Sequence, residues 1–402
     1  MKVVVTVRDS PRLHAAELKQ YGDIRYVSER SKSVVMDIPN ENLRRIAALP
    51  FVVEVVVDTA FRPTEECTFV TGMITNARAR SAMGADNPFP AVPVRVAVID
   101  TGIAETDRIN VIKRLKVIDD ETTNKDHGTW IAHTIAGYAV ETNYGTAEGV
   151  TPGTPIIDAP VINPQGYTTM GDIIQALDMV ADAGADVVNM SLSGQYLCTQ
   201  AMDNMIKSLS GEGIIAVVAG GNFGNNASIG CPANSPDTIA VGSVYLCDLP
   251  KCFIKSSFTP KGADIAAIGG EVNPEQLIIG LGMERPIAMA GTSMATPFVT
   301  GAVAVIKAYK PDVDVRTARY ILASSAMKPA KVPDPWLGYG VLNYRGILSE
   351  PEGQLENSPY YPESMLTTIN PTVLYVLTIG GIILWLSQKQ SAYRNWKVAS
   401  KY

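Results

Sequence analysis

The sequence has no excess of positive charge and very little histidine. Its 402 residues include 34 lysines and arginines against 40 aspartates and glutamates, for a formal net charge of −6 at pH 7. A chain of this charge offers no basic field to a polyanion, so we expect no nucleic-acid partner. His127 and His133 are six residues apart, whereas helical neighbours on one face are three or four apart. They are therefore poor joint ligands, and we predict no metal-binding residues.

Cysteine is also sparse, and its five positions show no zinc-type pairing. Cys247 and Cys252 flank a short loop and could form a disulfide outside a reducing cytosol, while free buried thiols fit the sequence equally well. The other three are Cys67, Cys198 and Cys231. The odd count leaves at least one thiol unpaired within the chain.

Three segments combine a reactive side chain with small neighbours. Residues 94–99 form an apolar, β-rich run that ends at Asp100, which is typical of a strand buried on both faces of a parallel sheet. His127 opens a run that predicts the start of a helix. Ser293 lies in Gly-Thr-Ser-Met-Ala-Thr-Pro, and Pro297 predicts the first turn of a helix there. The positive end of that helix would favour an oxyanion near the serine.

Asp100, His127 and Ser293 follow the Asp–His–Ser order of one known catalytic triad. The three blocks resemble those of the subtilisin-like serine peptidases (subtilases, peptidase family S8). Residues 214–224 resemble the family's oxyanion-asparagine loop, with Asn222 as the asparagine. Residues 187–194 resemble the strand that walls the family's substrate cleft. The resemblance spans residues 90 to 310.

The resemblance implies an α/β fold with a parallel sheet flanked by helices, and it assigns a role to each site residue. Asp100 would orient His127, which would take the proton of the Ser293 hydroxyl and pass it to the leaving amine. Asn222 would hold the oxyanion together with the backbone N–H of Ser293. The chemistry needs no cofactor, and structural calcium is possible. The cleft walls would be Ser191, Leu192, Ser193 and Gly194 on one side and Ala219, Gly220 and Gly221 on the other.

These cleft walls are small and carry no acid, so the family resemblance implies protein or peptide substrates with an apolar or aromatic residue before the scissile bond. The position of the site also follows from the pattern alone. Asp100, Ser191 and Asn222 each lie at or just past the carboxyl end of an apolar run, and that edge of a parallel sheet is where ligands bind.

Residues 1–63 predict a separate domain with the order βαββαβ, the ferredoxin-like pattern. Its elements are a strand at 2–7, a helix at 11–20, a hairpin at 23–38, a helix capped by Asn40, and a strand at 52–57. This domain resembles the inhibitory propeptide that precedes many subtilases; a permanent N-terminal domain is the alternative. Residues 62–66 are the predicted linker and region of self-cleavage, and the peptidase domain is then 64–348.

The C-terminal part predicts a membrane anchor. Residues 349–364 form an acidic, proline-containing stalk, and the 22 residues 365–386 carry no charge. At about 1.5 Å per residue a helix of that length crosses a bilayer core of about 30 Å; a buried or interfacial helix is the alternative. Basic residues in the tail 387–402 favour the cytoplasm, which puts the peptidase outside the cell. The N-terminus shows no secretory signal, which conflicts with this orientation.

The sequence as a whole predicts a membrane-anchored serine endopeptidase made as a self-inhibited precursor. One alternative is a catalytically inactive, membrane-tethered relative that binds peptides without cutting them. Another is an esterase of the α/β-hydrolase class, which would carry Gly-x-Ser-x-Gly, whereas Ser293 lies between Thr292 and Met294.

Overall fold

The computed structural model describes residues 1–63, 66–67, 73–246, 252–272, 276–327, 334–348, 375–379 and 382–386. The chain divides into two compact units. One comprises Met1–Asp58 with Glu363–Tyr402, and the other comprises Thr59–Pro362. Residues 59–63, which the sequence assigned to the N-terminal domain, thus belong by their contacts to the larger unit.

The N-terminal part of the first unit has the predicted order βαββαβ. Its elements are β1 (Lys2–Val7), α1 (Pro11–Leu18), β2 (Asp23–Ser28), β3 (Ser33–Asp37), α2 (Leu43–Ala47) and β4 (Val52–Val57). The strands form an antiparallel sheet in the order β2-β3-β1-β4. Val3, Val5 and Val7 alternate onto one face of β1 and share an apolar cluster with Leu18 and Ile46. This cluster gives the unit its own core.

The predicted helix cap at Asn40 is wrong. Asn40 lies in a 3-10 turn, Asn40–Asn42, which precedes α2, and neither the turn nor the helix has a side-chain cap. Because Pro39 precedes this turn and α2 begins three residues after Asn40, that side chain is not at the start of the helix.

The second unit contains the remaining elements up to residue 348. They are β5 (Ala60–Pro63), β6 (Glu66–Cys67), β7 (Ile74–Thr75), α3 (Asn76–Ala82), β8 (Val96–Asp100), β9 (Val111–Arg114), α4 (Asp126–Ala136), β10 (Val140–Thr142), β11 (Gly145–Ala147), β12 (Ile156–Pro160), β13 (Thr168–Thr169), α5 (Met170–Asp182), β14 (Val187–Met190), β15 (Leu192–Ser193), α6 (Gln200–Gly211), β16 (Ile215–Ala219), β17 (Thr238–Leu246), β18 (Phe253–Lys255), β19 (Ile265–Ile268), β20 (Ile278–Leu281), β21 (Pro286–Ala290), α7 (Thr292–Tyr309) and α8 (Val315–Ser325).

A mainly parallel sheet forms the centre of this unit. Its strand order is β18-β17-β16-β14-β8-β12-β9, with β19 also paired to β17, and β18 runs antiparallel. Every residue of β8 is buried, as expected for a strand covered on both faces. Helix α7 packs against β14, β16, β17 and β19, and α5 and α6 pack against β12 and β16. The predicted α/β fold with a parallel sheet and flanking helices is confirmed.

Helix α7 begins earlier than the sequence predicted. It starts at Thr292, so Pro297 is its sixth residue and lies inside the helix rather than in its first turn. A proline inside a helix removes one backbone hydrogen bond. The carbonyl left without that bond belongs to Ser293, and it accepts a hydrogen bond from the hydroxyl of Ser191 instead.

Two parts of the predicted membrane helix are strands. β22 (Tyr375–Ile379) and β23 (Ile382–Leu386) pair antiparallel. Their apolar runs flank Gly380-Gly381 in the sequence, a pattern typical of a hairpin, and this explains the difference from the predicted helix. Within the part of the chain that the structure describes, no helix has both the length and the apolar character to cross a membrane. The stalk 349–364, the rest of 365–386 and the tail 387–402 lie outside the described residues.

The structure pairs two cysteines that the sequence did not suggest as a pair. Cys198 and Cys231 form a disulfide across 33 residues of chain. It joins the loop after β15 to the loop after β16. Cys252 is also in a disulfide.

Candidate active site

The predicted site residues lie along the carboxyl edge of the central sheet. In the parallel register, Met190 of β14 is opposite both Ile99 of β8 and Val218 of β16. Asp100 and Ser191, each one residue further on, therefore reach the same level of this edge. Asn222 lies in the turn that follows β16. The edge is the expected place for a ligand in such a sheet.

Asp100 and His127 are in direct contact. Nδ1 of His127 is 2.6 Å from Oδ1 of Asp100, and the two side chains are 2% and 1% exposed. The same carboxylate oxygen accepts the backbone N–H of Thr101 at 2.7 Å. A carboxylate can only accept, so the proton of this pair is on Nδ1, and a neutral ring then has its lone pair on Nε2. That tautomer is the one a general base needs.

Gly128 allows the helix that carries His127 to approach the strand that carries Asp100. The N–H of Gly128 donates to Oγ1 of Thr101 at 2.9 Å. A Cβ atom at residue 128 would lie 2.3 Å from the carbonyl oxygen of Gly102, so any other residue would push the two segments apart. Sequence analysis gave Thr101 no role, although its position directly after Asp100 is a usable signal.

Ser293 and Ser191 form a reciprocal pair. Oγ of Ser293 donates to the carbonyl oxygen of Ser191 at 2.8 Å, and Oγ of Ser191 donates to the carbonyl oxygen of Ser293 at 3.0 Å. The second bond replaces the helical one that Pro297 cannot supply, since that proline has no N–H four residues further on. The proline inside α7 thus makes the backbone of Ser293 available to Ser191.

A buried polar chain continues from this pair into the core. Nδ2 of Asn189 donates to Oγ of Ser191 at 3.0 Å, and Oγ1 of Thr300 donates to Oδ1 of Asn189 at 2.7 Å. All of these side chains are completely buried. The hydroxyl of Ser191, a predicted cleft-wall residue, thus contacts the helix that carries Ser293.

Asn222 is held beside Ser293 by the preceding residue. Its Oδ1 accepts both the backbone N–H and the hydroxyl of Thr292, each at 3.0 Å. The N–H of Gly221 donates to the same threonine hydroxyl at 3.1 Å. Because the oxygen end of the carboxamide is bound to Thr292, its NH2 end is directed away from that residue. Sequence analysis did not assign Thr292 a role.

Chain segments on both sides of residues 64–65 pair with strands next to the site. β5 pairs antiparallel with β15, where Leu192 is opposite Pro63 and Ser193 is opposite Arg62. It also pairs with β13, where Thr168 is opposite Phe61.

Further along, β6 pairs with β21, which ends at Ala290, three residues before Ser293. β15 and β21 thus each pair with an extended segment of residues 60–67, the arrangement of peptide recognition by strand addition.

The remaining predicted cleft-wall residues, Gly194 and residues 219–221, are buried as well. Gly194 exchanges backbone hydrogen bonds with Cys231, at 2.8 and 3.0 Å, and the N–H of Gly220 donates to the carbonyl of Val241 at 2.9 Å. Gly221 has φ +104, a conformation that favours glycine. Ala219 ends β16 and is fully buried.

His133 is a buried, hydrogen-bonded residue of α4. Its Nδ1 is 3.2 Å from Nδ2 of Asn76, and its Nε2 is 3.2 Å from the carbonyl oxygen of Tyr138. Burial lowers the pKa of His133 from 6.5 to about 4. His14, the third histidine of the chain, stacks on Phe51 with ring centroids 3.8 Å apart. Among the residues that the structure describes, no group of three or more His, Cys, Asp or Glu side chains is suited to a metal ion.

Several known proteins resemble this chain in sequence or in fold. The subtilase family matches residues 93–341. Subtilisin DY of Bacillus licheniformis is 33% identical over 241 residues, which are 58% of this chain and 83% of subtilisin DY.

Fervidolysin from Fervidobacterium pennivorans, described as a keratinolytic enzyme related to subtilisin, superposes with a TM-score of 0.72 at 20% identity, over 87% of this chain and 61% of fervidolysin. The epidermin leader peptide processing serine protease of Staphylococcus aureus gives a TM-score of 0.69 at 17% identity, over 88% of this chain and 99% of that protein. The structural likenesses concern the fold, and the family match covers most of the larger unit. The chain therefore belongs to the subtilase family and is a serine endopeptidase.

Proposed function

We propose that Asp100, His127 and Ser293 are the catalytic triad of this peptidase, and that it is made as a precursor which cuts itself behind the N-terminal domain. The observation that carries the proposal is the pairing of β5 with β15, which follows Ser191, and of β6 with β21, which ends three residues before Ser293. The described residues at both ends of the predicted self-cleavage region thus pair with strands that would hold a substrate.

The proton transfers follow from the tautomer of His127. Ser293 Oγ attacks the carbonyl carbon of the scissile bond and its proton passes to Nε2 of His127, while Asp100 stabilises the imidazolium through Nδ1. When the tetrahedral intermediate collapses, the C–N bond breaks and His127 gives the proton to the leaving amine. Water then repeats the sequence on the acyl-enzyme and restores the free serine.

Asn222 supplies the donor for the oxyanion. The support is its orientation: Thr292 occupies Oδ1 through two hydrogen bonds, so Nδ2 is the end available to a developing negative charge. Losing one such donor typically lowers kcat by about 10²- to 10³-fold.

The scissile bond lies between Pro63 and Glu66. Pro63 is the last residue of β5 and Glu66 the first residue of β6, so only Thr64 and Glu65 connect the two paired segments. A bond in this short connection is the one that a serine between the two strands would attack.

The test is the Ser293→Ala variant of the full-length chain. We expect the wild type to lose an N-terminal fragment ending at residue 63, 64 or 65, and the variant to stay intact and to hydrolyse no casein. Mass spectrometry of both fragments measures this. Release of the same fragment by Ser293→Ala would contradict self-cleavage, and a wild type that a fluorophosphonate probe leaves unlabelled would favour the inactive, peptide-binding alternative.

We further propose that the apolar segment 365–386 attaches the chain to a membrane with the peptidase unit on the extracytoplasmic side. The absence of charge in this segment and the basic tail support the attachment and its direction. The Cys198–Cys231 disulfide agrees with an oxidising compartment. Extraction of cell membranes with alkaline carbonate tests the attachment: the full-length chain should stay in the pellet and a chain ending at residue 348 should not. A full-length chain in the supernatant would contradict it.

A further inference from the structure

The loop that follows β15 folds back onto β5. We infer that Tyr196 in this loop determines substrate specificity: its ring closes a subsite that takes an aromatic or large apolar side chain, filled in this structure by Phe61. The inference rests on the proposed function, because it treats β5 as the segment that a substrate replaces.

The contact between the two rings is direct. Phe61 is 1% exposed, and its ring centroid is 5.1 Å from that of Tyr196 with an interplanar angle of 73°. Edge-to-face pairs of this kind are attractive because the positive edge of one ring meets the negative face of the other. The hydroxyl of Tyr196 donates to the carbonyl oxygen of Ala60 at 3.4 Å. Tyr196 therefore contacts both the backbone and a side chain of the bound strand.

Gly194 leaves the space that Tyr196 occupies. A Cβ atom at residue 194 would lie 2.4 Å from the ring of Tyr196. The N–H of Tyr196 donates to the carbonyl of Gly194 at 2.8 Å, which makes the turn tight enough for the ring to fold back. A side chain at residue 194 would displace the ring without removing it.

The other side of the loop is fixed by a disulfide and by hydrogen bonds. Cys198, two residues after Tyr196, is linked to Cys231. The carbonyl of Tyr196 accepts the N–H of Cys231 at 3.0 Å and Nδ2 of Asn234 at 3.0 Å. Cys198 and Cys231 thus act as positioning residues, which keep the tyrosine over the place of Phe61.

After self-cleavage Phe61 belongs to the fragment that leaves. A substrate that adds to β13 and β15 in the same register would put one of its side chains where Phe61 lies now. Tyr196 would then face that side chain in every catalytic cycle.

The experiment uses the full-length chain after self-cleavage and two peptides with the sequence of residues 59–69, both carrying Cys67→Ser. One peptide keeps Phe61 and the other carries Phe61→Ala. We expect wild-type kcat/KM to favour the Phe61 peptide by about 10- to 200-fold, since filling an apolar pocket gives discrimination of that order. In Tyr196→Ala this ratio should fall by about 2- to 12-fold, the contribution of an aromatic pair.

Matched variants separate the contact from general damage. Tyr196→Phe keeps the ring and should keep most of the ratio, and Leu197→Ala, at a neighbouring residue that is 63% exposed, should leave it unchanged. Gly194→Ala and the pair Cys198→Ser/Cys231→Ser should lower the ratio although Tyr196 is present.

A ratio in Tyr196→Ala equal to that of the wild type, or an equal loss of activity on both peptides, would overturn the inference and leave the peptidase proposal intact. If the wild type cuts neither peptide, the peptidase proposal fails and the inference falls with it.

Discussion

At the scale of single residues, Ser191 holds the backbone of Ser293, because its hydroxyl donates to the carbonyl oxygen of that residue at 3.0 Å. We predict that Ser191→Ala lowers kcat by up to about 100-fold, because small displacements of a nucleophile are costly. It should also lower the free energy of unfolding by about 1–3 kcal/mol, because a buried carbonyl loses its partner.

Peptide hydrolysis and urea unfolding of the same preparations measure both effects. Ser208→Ala is the control, since Ser208 lies in α6 and its hydroxyl donates to the carboxylate of Glu212 in an exposed contact at 3.2 Å. A Ser191→Ala variant with wild-type kcat would show that Ser293 is positioned by α7 alone.

His133 makes the stability of the folded chain fall at acidic pH. Its pKa falls from 6.5 to about 4 on folding because burial disfavours the charged ring, so between these values the unfolded chain binds more protons than the folded one. The contribution is therefore fully present above pH 6.5 and is lost as the pH falls toward 4. At about 1.4 kcal/mol per pKa unit the loss amounts to about 3 kcal/mol.

We predict that His133→Gln removes this loss. The raised pKa of Asp203, about 6 because of burial, acts in the opposite direction, so the comparison must be between wild type and variant at each pH. Urea unfolding at pH 7 and at pH 4.5 provides it. Parallel pH profiles of the two proteins would contradict the assignment to His133.

At the scale of elements, the strands of the central sheet could be predicted and the start of α7 could not. Residues 214–219 are apolar and bounded by Gly213 and Gly220, and residues 96–99 are apolar and end at Asp100, so local pattern and final environment agree. The rule that puts proline in the first turn of a helix fails at Pro297 because Ser191, 102 residues away from Ser293 in sequence, supplies the missing hydrogen bond. Such a partner cannot be read from the local sequence.

β5 could likewise not be predicted from the local sequence. Arg62-Pro63 is typical of a linker, and the segment is a strand because β13 and β15 offer it partners on both sides. Strand formation depends on such neighbours more than on propensity. The same limit applies to 375–379 and 382–386, where a long apolar run predicted a helix: hydrophobicity alone does not distinguish the two kinds of element.

The Cys198–Cys231 disulfide joins the loop after β15 to the loop after β16. Which cysteines pair depends on where these loops lie in the fold. We predict that Cys198→Ser/Cys231→Ser lowers the free energy of unfolding by about 3–4 kcal/mol, the value expected for a closed loop of this length. Thermal unfolding with and without dithiothreitol measures it. The wild type in reductant should lose at least as much stability as the variant, because Cys252 is also disulfide-bonded. A variant as stable as the oxidised wild type would contradict the prediction.

At the scale of the whole molecule, the chain joins a small domain with its own apolar core to a peptidase whose strands β13 and β15 pair with residues 60–63. The N-terminal part of the first unit ends at Asp58, so the fragment 1–63 consists of that part, Thr59 and the strand β5. If the precursor is inhibited through β5, the fragment 1–63 added to the cleaved enzyme should inhibit it competitively, and 1–58 should inhibit at least about tenfold less, a difference of about 1.4 kcal/mol. The fragment 1–63 with Phe61→Ala should be intermediate, because it keeps the backbone pairing and loses the ring.

Initial rates on a peptide substrate at several concentrations of each fragment give the inhibition constants. Equal inhibition by 1–58 and 1–63 would mean that the domain, and not β5, blocks the enzyme. An active enzyme that still carries residues 1–63 covalently would favour the permanent N-terminal domain, because in that case no cut behind Pro63 is needed for activity.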